Sequence, residues 1–160
     1  MNDEKLGRLY QEIVGIIIDT IPEEWLKVYL YAEVNDGSQT ADFYYYPKGS
    51  DKPICSHDIT ELFTISEEEY SIQWHQLLDS IKELWREFID NNEAPWTSFT
   101  LIFNNTGKFK IDFSYDDLSN ADPHEIATIW KYENMGIVPK SNSGKKHLEK
   151  YLQTIKNKEK

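Results

Sequence analysis

Trp25-Leu26-Lys27-Val28-Tyr29-Leu30-Tyr31-Ala32-Glu33-Val34 alternates without a break. Leu26, Val28, Leu30, Ala32 and Val34 take one side; Trp25, Lys27, Tyr29, Tyr31 and Glu33 take the other. Period two marks a strand with one buried face. Asn35-Asp36-Gly37-Ser38 follows as a turn signal, and Gln39 to Tyr46 returns as a second strand. Pro47 and Gly49 close that strand, and Pro53 to Ser56 offers a short third one. Strands joined by a tight turn run antiparallel, so the chain is built on an antiparallel sheet.

Working outward, the flanking segments read as helices. In residues 4–20, Leu6, Leu9, Tyr10, Ile13 and Ile17 fall at helical spacing, with Asp3 as N-cap and Pro22 ending the pattern. Ser66 and Glu69 match a capping box. Tyr70, Trp74, Leu77, Leu78, Ile81, Leu84, Trp85 and Phe88 then mark a long helix to about Asn91. Trp96 to Phe103 and Lys108 to Tyr115 form a second hairpin around Asn104-Asn105-Thr106-Gly107. Asp122-Pro123-His124-Glu125 starts a helix that runs to about Met135, and Gly136 is its C-cap. Leu148, Tyr151, Leu152 and Ile155 stripe a last helix, with a frayed tail from Lys156. The expected fold is α+β: an antiparallel sheet of four to five strands with helices packed mainly on one face. No repeat, low-complexity segment or linker divides the chain, so residues 1–160 are expected to form a single domain.

Composition narrows the function. Apolar residues make up 39% and charged residues 28%, the balance of a soluble globular chain. Cys55 is alone, which excludes an intramolecular disulfide and suits a reducing compartment. The N-terminus lacks the pattern of a signal peptide, and Ile13 to Ile18 is too short to span a bilayer, so a cytoplasmic location with no membrane partner is expected. The net charge is −11; residues 131–160 carry +5 and residues 1–130 carry −16. Such a body repels nucleic acid and attracts basic proteins, although acidity can also serve solubility alone.

Little in the sequence points to catalysis. The four histidines, His57, His75, His124 and His147, show no metalloprotease spacing. Cys55 and His57 lie two apart, but nothing marks an oxyanion hole. Phosphate-binding loops are absent from the sequence. Asp112, Asp116, Asp117, Asp122 and Glu125 form the densest acidic cluster outside the long helix, but do not match a calcium-binding loop. Asp122 and Glu125 already have capping work. The expectation is no catalytic residue, no cofactor and no metal.

The second face of the sheet is the candidate recognition surface. It carries Lys27, Tyr29, Tyr31 and Glu33 from one strand and Lys108, Lys110, Asp112 and Ser114 from another. Tyrosines are favoured at protein interfaces because a rigid ring gives much area for little entropy. The same face could equally be a solvated one. The partner-binding candidates are Tyr29 and Tyr31 as anchors, Glu33 beside them, and Asp112, Asp116, Asp117, Asp122 and Glu125 for electrostatic attraction.

Four strings, in order, carry a family resemblance: Ile21-Pro22-Glu23-Glu24-Trp25-x-Lys27-Val28-Tyr29-x-Tyr31-Ala32-Glu33; Glu93-Ala94-Pro95-Trp96-Thr97; Thr106-Gly107-Lys108-Phe109-Lys110-Ile111-Asp112-Phe113-x-Tyr115-Asp116-Asp117; and Ile129-Trp130-Lys131-Tyr132 with Gly136-Ile137-x-Pro139. Over nearly its whole length the chain resembles the YezG-like family of bacterial immunity proteins. The resemblance implies a non-enzymatic antitoxin that binds a nuclease toxin exported by the type VII secretion route. Two other readings stay open: a carboxylate-dependent hydrolase using Asp112, Asp116 or Asp117, and an adaptor with no toxin partner.

Overall fold

The computed structural model describes residues 3–35 and 38–158. The chain divides into two compact units, Met1–Asp116 and Asp117–Lys160. The first contains α1 (Asp3–Thr20), β1 (Trp25–Asn35), β2 (Ser38–Pro47), β3 (Ile54–Cys55), a 3-10 turn (Ser56–Asp58), α2 (Ile59–Leu62), α3 (Glu67–Asp90), β4 (Ser98–Asn104) and β5 (Phe109–Ser114). The second contains α4 (Pro123–Met135) and α5 (Asn142–Lys158).

The five strands form one antiparallel sheet in the order β3-β2-β1-β4-β5. The fold is α+β, as the sequence predicts. The alternation of β1 sets the register. Val28 pairs with Tyr45 and Phe103, Leu30 with Phe43 and Leu101, and Ala32 with Ala41 and Phe99. These residues make one continuous buried layer. Leu9, Ile13 and Ile17 of α1 and Leu77, Ile81, Leu84 and Phe88 of α3 join them in the core. Steps of three and four residues put each set on one helix face. Burying one such side chain contributes about 1.5–3 kcal/mol.

Capping residues act where the sequence puts them. Ser66 Oγ accepts from the Glu69 N–H at 3.1 Å, and Asp122 accepts from the His124 N–H at 2.9 Å. Gly136 closes α4 at φ 68°, a left-handed conformation that costs glycine little. Charge also ties α1 to α3. Glu87 is buried, yet the Lys5 Nζ lies 2.7 Å from its carboxylate and Asn91 Nδ2 donates to it at 2.9 Å. The Lys5 contact, more than any other, holds the Glu87 carboxyl below its ordinary pKa.

Several expectations need correction. Asp3 lies inside the first turn of α1 rather than ahead of it. Trp96 precedes β4, where it is a core plug rather than a strand residue. Ser56 to Leu62 forms two short helical turns that periodicity did not reveal, with Ile59 buried. The tail is helical through Lys158. The turn expected at Asn35 to Ser38 includes Asp36 and Gly37, which lie outside the described residues.

Candidate partner-binding face

Pairing register builds the second face of the sheet row by row. Tyr31 stands between Asp42 of β2 and Thr100 of β4, and Thr100 faces Asp112 of β5. The row on one side is Thr40, Glu33, Ser98 and Ser114; on the other it is Tyr44, Tyr29, Ile102 and Lys110. Strand pairing thus gathers four of the candidates, Tyr29, Tyr31, Glu33 and Asp112, on one face. Asp116 follows just past the end of β5.

Their environments differ. Tyr31 is half-buried, and its hydroxyl donates to Glu33 Oε1 at 2.9 Å. Burial first, then Glu33, raises the Tyr31 pKa above that of an ordinary phenol, so the hydroxyl stays a donor at all physiological pH. Thr40 donates to the other Glu33 oxygen at 3.4 Å. The two bonds hold the Glu33 carboxylate between strands. Tyr29 is only 8% exposed, with Lys27 Nζ 5.0 Å from its ring centre and Tyr46 edge-on at 6.0 Å. An open, solvated position for Tyr29 is therefore corrected: its ring is packed. The alternation of β1 fixed its side of the sheet, not its cover.

The acidic candidates are more exposed. Asp112 pairs with Lys110 Nζ at 3.3 Å in open solvent, an arrangement that contributes little to stability. The Asp116 backbone carbonyl accepts from Thr97 Oγ1 at 2.7 Å, which pins the end of β5. In the second unit, Asp117 Oδ1 accepts from the Ser119 N–H at 3.0 Å. Hydrogen bonds from the Ser119 side chain and backbone lower its pKa. Asp122 and Glu125 come together around His147, at 3.6 and 3.9 Å.

Beside β3, the fold makes a cluster that sequence reading missed. His57 Nε2 bonds Asp42 Oδ1 at 2.5 Å, and the Tyr70 hydroxyl lies 3.1 Å from His57 Nδ1. If Nε2–H donates to Asp42, Nδ1 accepts from Tyr70. Trp74 packs on His57 at 4.8 Å and stacks with Tyr70. His57 thus partners Asp42 and Tyr70, while burial pushes the Cys55 thiol pKa up, away from a reactive thiolate. Only the four-residue step from Tyr70 to Trp74 was visible in advance.

This cluster has a pH signature. The Asp42 hydrogen bond is the largest cause raising the His57 pKa. A histidine pKa raised by folding contributes stability that is fully present below about 6.5, its unfolded value. That contribution is lost as pH rises through the folded value. The Tm deficit of His57→Gln against the parent should be larger near pH ~5.5 than near pH ~8.5; a deficit independent of pH would rule out the charged pair.

No helix among the described residues is long and apolar enough to cross a membrane. A family model described as "Immunity protein YezG-like" matches residues 6–149. The chain is 38% identical over 160 residues to Immunity protein YezG of Bacillus spizizenii, covering 99% of each. It is 36% identical over 146 residues to Immunity protein YezG of Bacillus subtilis, covering 90% of this chain and 97% of the relative. It is 32% identical over 158 residues to the Type VII secretion system protein EsaG of Staphylococcus aureus, covering 96% of this chain and 97% of the relative.

Proposed function

The chain belongs to the YezG-like immunity protein family, and from that premise we propose that it is a cytoplasmic antitoxin that binds and inhibits a nuclease toxin exported by the type VII route. The whole chain, residues 1–160, acts as the immunity domain. It works by occupying the toxin, without catalysis and without a nucleic-acid or membrane partner.

The observation that carries the reading is charge. Residues 1–116 hold 22 acidic against nine basic side chains, a net of −13. A nuclease domain must present cations to a phosphate backbone, and an acidic protein competes for the same cations. Asp112, Asp116, Asp117, Asp122 and Glu125 draw the toxin in. Tyr31, braced by Glu33, is the anchor. Tyr29 supports that face from within, because its ring is already packed.

Association of the purified chain with the nuclease domain of a type VII-exported toxin from the same cell tests the reading. The on-rate should fall at least about tenfold between ~50 and ~500 mM salt, since exposed charges are screened within about 8 Å at physiological ionic strength. An on-rate that ignores salt would show that the charge serves solubility alone. No binding at any salt would remove the antitoxin reading for that pair.

A further inference from the structure

We propose that Asp122, Glu125 and His147 form a binding site for a divalent transition-metal ion of the zinc class, joining the start of α4 to α5. Each residue offers one ligand atom, and the three atoms lie within 4.8 Å of one another. The donor set is one imidazole nitrogen and two carboxylate oxygens. An imidazole disfavours calcium and magnesium, which take oxygen, and suits zinc and its neighbours.

The local geometry favours a cation. Asp122 divides its work: Oδ1 accepts the His124 N–H and caps α4, while Oδ2 faces His147 Nε2 at 3.6 Å. The capping bond orients the carboxylate in advance, as outer hydrogen bonds do at metal sites. On the other side of the ring, Glu125 Oε2 lies 3.9 Å from His147 Nδ1. A neutral imidazole carries one N–H. With a carboxylate facing each nitrogen, a neutral ring sets one carboxylate against a lone pair; a proton or a metal ion on that nitrogen removes the mismatch. A metal ion on Nε2, held also by Asp122, leaves the Nδ1 proton facing Glu125 until that side chain turns to the ion.

Distances permit it. Ligand bonds of about 2.0–2.1 Å in a tetrahedral site separate neighbouring ligand atoms by about 3.3 Å. The Asp122–His147 separation needs to close by only a few tenths of an ångström. Glu125 lies in the first turn of α4, three residues after Asp122, and its side-chain torsions let it swing toward the same ion. Water can fill the fourth position, and the His124 ring packs edge-on against His147, with ring centres 5.2 Å apart. Sequence spacing did not reveal this set, because His147 arrives from a different helix.

The probe is Zn²⁺ added to the full chain after treatment with a chelator, followed by calorimetry, with Co²⁺ absorption as a second readout. One ion per chain should bind with a Kd of about 10 μM or tighter. His147→Ala should abolish binding. Glu125→Gln and Asp122→Asn should each weaken it about tenfold or more; Asn retains the cap that Asp122 provides. His57→Ala, a histidine of the first unit that the site does not use, should leave stoichiometry and affinity unchanged. If His147→Ala misfolds, the two amide variants decide. No binding below about 100 μM, or binding that the amide variants leave intact, would overturn the site.

Discussion

Replacing Trp96 by Ala should destabilise the protein by about 3–5 kcal/mol, the usual cost of removing a large buried aromatic side chain. Trp96 is 1% exposed and lies between Phe88, Phe99 and Phe113, with ring centres 5.1–6.5 Å away. Its position ahead of β4 makes it the plug where α3, β4 and β5 meet. Its indole N–H is buried with no acceptor among the described residues. Phe at this position removes that unpaired donor while keeping most of the packing. Trp96→Phe should therefore cost less than about 1.5 kcal/mol. Urea denaturation of the two variants checks both values. Equal losses would mean that the ring is not the element that holds this end of the core.

The second large effect falls on binding. Tyr31→Ala should weaken the toxin complex by about 2 kcal/mol, roughly 30-fold in Kd, mainly through faster dissociation. Tyr31 sits in the middle of its row, flanked by Asp42 and Thr100, and its hydroxyl engages Glu33. A half-buried ring in a fixed orientation loses little entropy on docking. Tyr31→Phe keeps the ring and should keep most of the affinity. Tyr29→Ala, by contrast, should register first as lost stability, because that ring is packed in the free protein. Surface plasmon resonance on variants with native Tm separates the two effects. A Tyr31→Ala variant that folds normally and dissociates no faster than the parent would move the docking surface elsewhere.

The difference between Tyr29 and Tyr31 also marks how far sequence reasoning reaches. Strict alternation from Val28 to Val34 gave the strand, its buried side and, with the turn residues, its antiparallel partner; Leu26, expected on the buried side, is exposed because the register shifts between Trp25 and Lys27. Ser66 and Gly136 gave helix ends, because capping depends on local backbone geometry. Both signals act within a few residues of the chain. Which rings on the second face are packed depends on what surrounds them, and period two does not carry that information. The Asp42–His57–Tyr70 cluster and the approach of His147 to Asp122 and Glu125 are likewise products of long-range packing. Ser56 to Leu62 escaped for a local reason: its helical turns are too short for periodicity to register. The division after Asp116 is marked by no linker, although the charge changes sign across it, from −13 over residues 1–116 to +2 over residues 117–160.

The antitoxin claim is tested most directly by titrating the purified chain into a fixed concentration of the nuclease domain of a type VII-exported toxin from the same cell and following DNA cleavage. Cleavage should fall linearly with added protein and stop at a fixed stoichiometric ratio, while an unrelated nuclease in the same assay stays fully active. Undiminished cleavage by that toxin's nuclease domain at a tenfold excess of folded protein would contradict the account.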